Sequence, residues 1–344
     1  MFRYITSNKS TIGSKTIQDP EVYPLISLAP KISEDGQYIL TTVWNDDFYT
    51  YEKANLINTR TESVVRSYTL PTGGRPYIRG NSKYVAITAP YENSQRGRVY
   101  IYDISSGAQV RVIENPRQTF SDRFGNGGVS FSANGERVAI ASVDYYNDAG
   151  SDRQGRVHIF DVSTGNLIRT IIDPATGFNS FGSGAVLSSD GSIVAFTSNT
   201  NSYVYNVGTG ALVATIAESA DNPYAPSICL SGDGRVLFVN RTKYSAVNGS
   251  LLVRYSTETF FQVGNFMSSD GSTVIICSTT DYKLFRRSLT PVEEGVIAYP
   301  QSYAQQDYAT LSGDGSMLVI QNVGDIFIPP GTFAQKKEII FKEY

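Results

Sequence analysis

Few residues in this 344-residue chain are of a type that could do chemistry. Asp144, Asn147, Asp148 and Asp152 gather hard oxygen donors in one polar stretch, the ligand type that Ca²⁺ takes. Their spacing is not that of an EF-hand loop, so a solvated polar loop is the plain expectation and a calcium site the sharper one. Asn45, Asp46 and Asp47 offer a smaller version of the same set. His158 is the single histidine and sits in RVHIFDV between alternating apolar residues. A catalytic histidine needs a nucleophile and an orienting acid, and no Gly-x-Ser-x-Gly elbow supplies the first. A histidine packed inside a sheet is therefore expected. Cys229 and Cys277 lie in apolar runs and read as inert core thiols. Among 32 acidic residues no motif selects a pair for glycoside hydrolysis, and neither a P-loop nor a dinucleotide fingerprint follows any apolar run. The expectation is a non-enzymatic protein without a cofactor, calcium being the one candidate.

A second set is suited to recognition. Tyr91, Arg96, Arg117, Phe120, Arg123, Asp144, Tyr145, Tyr146 and Arg153 fall in three polar stretches rich in tyrosine and arginine, the types that dominate interface energetics. The same residues could simply cover the edges of the fold. A net charge of -3 and a pI near 5.4 give no basic footprint for nucleic acid. No run of 18 apolar residues and no apolar leader after Met1 is present, so neither membrane insertion nor secretion is expected. Cytoplasmic synthesis follows, with the final compartment open and a virion one destination.

These residues need a frame, and the frame is a repeat. Ser-x-Asp/Asn-Gly recurs as SEDG (33–36), SANG (132–135), SSDG (188–191), SGDG (231–234), SSDG (268–271) and SGDG (312–315). Gly80-Asn81-Ser82 is a degraded copy in the one large gap, and the seven marks are spaced 37 to 56 residues apart. A short apolar run stands on either side of each turn, as in VSFS before it and RVAIAS after it. Branched and aromatic residues in such runs fit a pleated surface, and Asp-Gly is expected to supply the positive φ angles of a tight hairpin. A third run follows (RVYIYDI, RVHIFDV, SYVYNV), then a second turn (SSGA, STGN, GTGA), then a fourth run (AQVRVIE, NLIRTII, ALVATIA). The unit is a four-stranded antiparallel meander of about 40 to 50 residues, the content and length of a propeller blade. The expected fold is all-β, a seven-bladed β-propeller over residues 25–344, with residues 1–24 as an N-terminal arm.

The second to fourth units resemble FG-GAP and WD40-like repeats. Phe124-Gly125 and Phe181-Gly182 stand before first strands, and Thr88-Ala89-Pro90 stands where Gly-Ala-Pro would end a second strand. Tyr102-Asp103 and Phe160-Asp161 occupy the place of the Trp-Asp pair that ends the third strand of a WD40 blade. No unit carries the Asp-x-Asp-x-Asp-Gly calcium loop of integrin-type FG-GAP repeats, and only one has a histidine. The resemblance implies a fold and no activity.

In a meander, the turns joining strands 1–2 and 3–4 share one face, and the 2–3 and sheet-to-sheet connections share the other. The first set is tight. The second is long and varied: 89–97, 116–128, 143–155, 174–184 and 300–307. Connections longer than hairpins are where function concentrates. The expected function is a structural or protein-interaction propeller with other protein subunits as partners, a component of a large assembly such as a virion or phage particle. Glycan or peptide binding on the long-loop face is the alternative, and a hydrolase or lyase comes after it. At the ends, Phe2, Tyr4 and Ile5 alternate as an added strand would, while residues 338–341 (EIIF) read as the fourth strand of the last unit.

Overall fold

The computed structural model describes residues 15–18, 30–45, 50–78, 81–117, 122–142, 154–174, 180–217, 228–255, 262–278, 281–286, 293–298, 308–315, 318–322 and 325–328. They form an all-β molecule of seven four-stranded antiparallel sheets. Six sheets are uninterrupted meanders. The third, for example, runs Gly128–Phe131, Arg137–Ser142, Arg156–Asp161, Leu167–Ile172, with Ile140 opposite His158 and His158 opposite Thr170. Among the described residues the one helical turn, Glu92–Gln95, lies in a connection.

The seventh sheet is assembled from both ends of the chain. Tyr308–Leu311, Leu318–Asn322 and Asp325–Ile328 provide three strands, and Lys15–Gln18 pairs antiparallel with the last of them. The place expected for residues 338–341 is therefore held by residues 15–18, which the sequence reading had put in a separate arm. Residues 2–5 and 338–341 lie outside the described residues.

The repeated turn has a repeated chemistry. Ser188 Oγ donates to Asp190 Oδ1 at 2.7 Å and accepts the Ile193 N–H at 3.0 Å, while Asp190 Oδ1 accepts the Ser192 N–H at 2.9 Å. The same serine–carboxylate bond recurs in the first, fifth, sixth and seventh sheets, and Asn134 takes the aspartate's part in the third. In the second sheet Asn81 serves alone, its Oδ1 accepting the N–H groups of Lys83 and Tyr84. One expectation is corrected here. Only the glycine is left-handed (Gly191, φ 69°), and the preceding Asp is not. The aspartate is needed as an acceptor that satisfies turn amides, and the glycine alone provides the conformation costly for other residues.

The same turns join sheet to sheet. The residue after each serine donates its N–H to the neighbouring turn: Ala133 to Ser189, Ser189 to Gly232, Gly232 to Ser269, Ser269 to Gly313, and Gly313 back to Glu34, at 2.6 to 2.9 Å. Glu34 N–H reaches Asn81 of the second sheet at 3.2 Å. At net values near 1 kcal/mol per bond, this belt stabilises the order of the sheets by several kcal/mol. From the second sheet to the seventh, first strands of successive sheets lie against one another; that of the seventh, Tyr308–Leu311, touches that of the first, Lys31–Ile32, and the second strand of the first sheet, Tyr38–Asn45, meets Pro76–Tyr77 of the second. A second link runs along the outside. Arg66, Arg111 and Arg169 sit in the fourth strands of the first three sheets, and each donates to backbone carbonyls in the 3–4 turn of the next sheet.

The core is divided between neighbouring sheets. Phe124, Val99, Ile101, Phe131 and Ile140 are fully buried between the second and third, and Phe181, Ala141, Val157 and Phe196 between the third and fourth. Each buried phenylalanine contributes about 2 to 3 kcal/mol. The glycines after Phe124 and Phe181 explain the Phe-Gly pairs. Gly125 (φ 90°) and Gly182 (φ 95°) both press on the sheet before their own, a Cβ there lying 2.9 Å from the Thr88 methyl and 3.1 Å from Val157 Cγ2.

Candidate functional site

Three connections on the long-loop face converge over the second sheet. Residues 70–75 lead into it, 90–97 join its second and third strands, and 115–127 lead out of it to the third. Short backbone bonds fasten the last two together, Arg123 N–H to Gln95 O at 2.7 Å and Phe124 N–H to Arg96 O at 3.0 Å, while Thr88 N–H of the second strand holds the first through Arg75 O at 3.0 Å. Gly97 makes that approach possible, since a Cβ there would fall 2.5 Å from the Phe124 nitrogen.

Tyr91 stands at the centre of this cluster, 45% exposed. Its ring lies against Gly73, where any Cβ would meet the ring carbons, and the Arg123 guanidinium sits 5.3 Å from the ring centroid. Arg123 Nε donates to Gln95 Oε1 at 3.1 Å, which fixes the guanidinium over the ring. Asn93, Ser94, Gln95 and Arg123 all have positive φ, between 46° and 63°. Left-handed non-glycine residues cost about 1 to 3 kcal/mol each and concentrate where surroundings over-determine them. Here the fastening is the Glu92–Gly97 and Gln95–Arg123 backbone bonding, together with Tyr100 Oη donating to Glu92 at 2.6 Å.

A buried polar layer supports the cluster from below. Arg117 Nη1 donates to both oxygens of Asp122, at 3.1 and 3.2 Å, and Asn115 Nδ2 bridges Arg96 O and Asp122. Burial raises the Asp122 pKa, while Arg117, Asn115 and Arg156 oppose the rise. His158 lies beneath, 1% exposed, its Nδ1 2.9 Å from Thr170 Oγ1 and its ring 5.6 Å from that of Phe124. Burial first, then the positive Arg156 and Arg117, push its pKa down to about 3. The imidazole is neutral at physiological pH and sealed from solvent, so it cannot exchange protons with a substrate.

Of the residues expected to bind, Tyr91 and Arg123 are brought into contact, Arg96 contributes its carbonyl, and Arg117 is held in the buried ion pair. Phe120, Asp144, Tyr145, Tyr146 and Arg153 lie outside the described residues, as do the calcium candidates Asp144, Asn147, Asp148 and Asp152. Among the described residues no cluster of three or more His, Cys, Asp or Glu is placed to hold a metal. Nor is any helix long and apolar enough to cross a membrane. Gln95 and Gly73 were missed in the sequence. Gly73 could have been suspected from the Pro-Thr-Gly-Gly run, but Gln95 had no signal of its own.

A cavity of about 390 Å³ is lined by first strands of all seven sheets. Its walls include Leu230, Phe266 and Leu311, and Lys31 Nζ lies 5.2 Å from the ring centroid of Tyr77. At the turn face the Glu34 carboxylate lies on Gly313 and accepts the Ser269 hydroxyl. Cys229, also on the wall, is buried as expected. No protein-family model matches the sequence, and no curated protein matches it.

Proposed function

We propose that the seven sheets are the blades of a closed seven-bladed β-propeller, and that the molecule is a non-enzymatic interaction subunit of a larger assembly, engaging a partner protein through the long-loop face of its second and third sheets. The closed reading is supported by the belt that returns from Gly313 to Glu34 and by Lys15–Gln18 completing the sheet made from the other end of the chain. The function rests chiefly on the Tyr91–Arg123 pair. An exposed aromatic, backed by glycine and capped by a tethered guanidinium, has lost its conformational freedom before any partner arrives, which lowers the cost of association. Tyrosine and arginine are also the side chains most often found at the energetic centre of interfaces.

Size fractionation of a native extract tests this. The wild-type chain is expected in a high-mass fraction and the double variant Tyr91→Ala/Arg123→Gln in the free pool, with equal melting temperatures. Co-migration of the two, or a wild-type chain found only free, would reject it. The central cavity favours a second reading, a ligand-binding propeller, because its volume falls within the range of small-molecule sites.

A further inference from the structure

The outer rim carries an apolar surface that neither the loop face nor the cavity uses. The fourth strands of the first five sheets are Ser63–Thr69, Gln109–Glu114, Leu167–Ile172, Leu212–Ala217 and Leu251–Arg254. Among the described residues each is hydrogen-bonded on one side only, so its other edge presents backbone donors and acceptors that no described strand pairs. Val65, Val110, Val112, Leu167, Leu212 and Leu251 on these strands are between 37% and 58% exposed.

Edge strands are ordinarily defended by lysine, proline or outward charge. These five contain no Lys and no Pro, and their one acid, Glu114, is paired with Arg98 at 2.8 Å. Three of their four arginines, Arg66, Arg111 and Arg169, are folded over onto the next sheet's turn. The contacts that clasp sheet to sheet thus draw three guanidinium groups off the rim, and Arg254 at the end of the fifth sheet's strand is the exposed exception. A net charge of -3 on the whole chain adds little long-range repulsion between copies.

From this we propose that the rim of sheets one to five is a self-association surface, whose partner is a second copy of this chain. An apolar, half-paired edge without lysine or an unpaired acid is complementary to another edge of the same kind, and every copy brings five. Area sets the geometry. A six-residue edge is about 20 Å long, too short by itself to bury the roughly 1,000 Å² of a stable interface. At least two neighbouring sheets of one copy must therefore meet two of the other, side by side.

Sedimentation velocity on the full chain, from about 1 µM to about 100 µM, is the test. The wild-type chain is expected to grow heavier with concentration. The double variant Val112→Lys/Leu212→Lys puts a lysine into every neighbouring pair among the five sheets and, with unchanged circular dichroism and melting, is expected to move the midpoint to at least about tenfold higher concentration. Val110→Lys takes the place of Val112→Lys if that variant folds poorly. A wild-type chain that stays monomeric throughout overturns the proposal. So does undiminished association of the lysine variants, which would place the contact on a terminal segment or the loop face. Arg123→Gln is expected to leave self-association untouched, so the rim and the loop-face reading can fail separately.

Discussion

The two faces of this molecule are built on opposite rules. On the turn face one device is used again and again: serine, carboxylate, left-handed glycine, and an N–H donated to the next turn. On the long-loop face the described connection over the second sheet holds three successive left-handed residues above a buried ion pair, a device that no other described connection repeats. Repetition belongs where a single geometric problem, closing hairpins and joining neighbours, is solved in every sheet. Irregularity belongs where a particular shape is presented, and backbone strain is retained there because surrounding bonds hold it.

The contrast is broken most severely at the loop junctions. Gly97→Ala is expected to cost about 3 kcal/mol or more, since Gly97 has φ 81° and its Cβ would collide with the backbone of Phe124. Gly208→Ala, in a turn where the nearest atom is 3.4 Å away and φ is not positive, is expected to cost about 1 kcal/mol or less. Urea unfolding compares the two; equal costs would mean that the junction is looser than described.

Acid comes next. His158 has a folded-state pKa of about 3, below its unfolded value of 6.5, so the unfolded chain binds the extra proton first as pH falls. The stability due to the neutral imidazole is complete above pH 6.5, declines below it and levels off near pH 3. At 1.36 kcal/mol per pH unit, about 2 kcal/mol is lost between pH 6.5 and 5. Asp122, with its pKa raised, works in the opposite direction in the carboxylate range. His158→Leu is expected to flatten the pH dependence at the cost of the Thr170 bond. A wild-type chain equally stable at both pH values would contradict the buried placement.

Smaller again is the serine of the turn. Ser33→Ala in the first sheet and Ser188→Ala in the fourth each leave a turn amide without its acceptor, at about 1 to 2 kcal/mol. Because the copies are equivalent and apart, the two costs are expected to agree and to add within about 0.5 kcal/mol. Divergence would show that the repeated turns are not interchangeable. The smallest stability effect belongs to Arg123→Gln on the exposed cluster, below about 1 kcal/mol for its cation–π contact.

The turn face was legible in sequence because its rule is local: Ser, then Asp or Asn, then Gly within four residues, repeated six times with Asn81 standing in alone once. The identity of each sheet followed. The pairing of Lys15–Gln18 was not legible. KTIQ is a weaker strand signal than EIIF, and its partner, Asp325–Ile328, lies some 300 residues away. Long-range pairing of this kind leaves no local pattern. The loop cluster was half legible. Tyr91 and Arg123 stood out by type, but their contact depends on Gly73 and Gln95, which come from different connections. Arg66, Arg111 and Arg169 recur at like positions in SVVRSY, QVRVIE and LIRTII, yet only the arrangement of neighbouring sheets reveals what they hold.

Hydrogen exchange of the chain inside its native assembly, set against the isolated chain, bears most directly on the proposed division of labour. Added protection is expected at the amides of 90–97 and 122–127, with the Ser-x-Asp-Gly turns unchanged. Protection gained at the turns while 90–97 exchanges as freely as in isolation would contradict it.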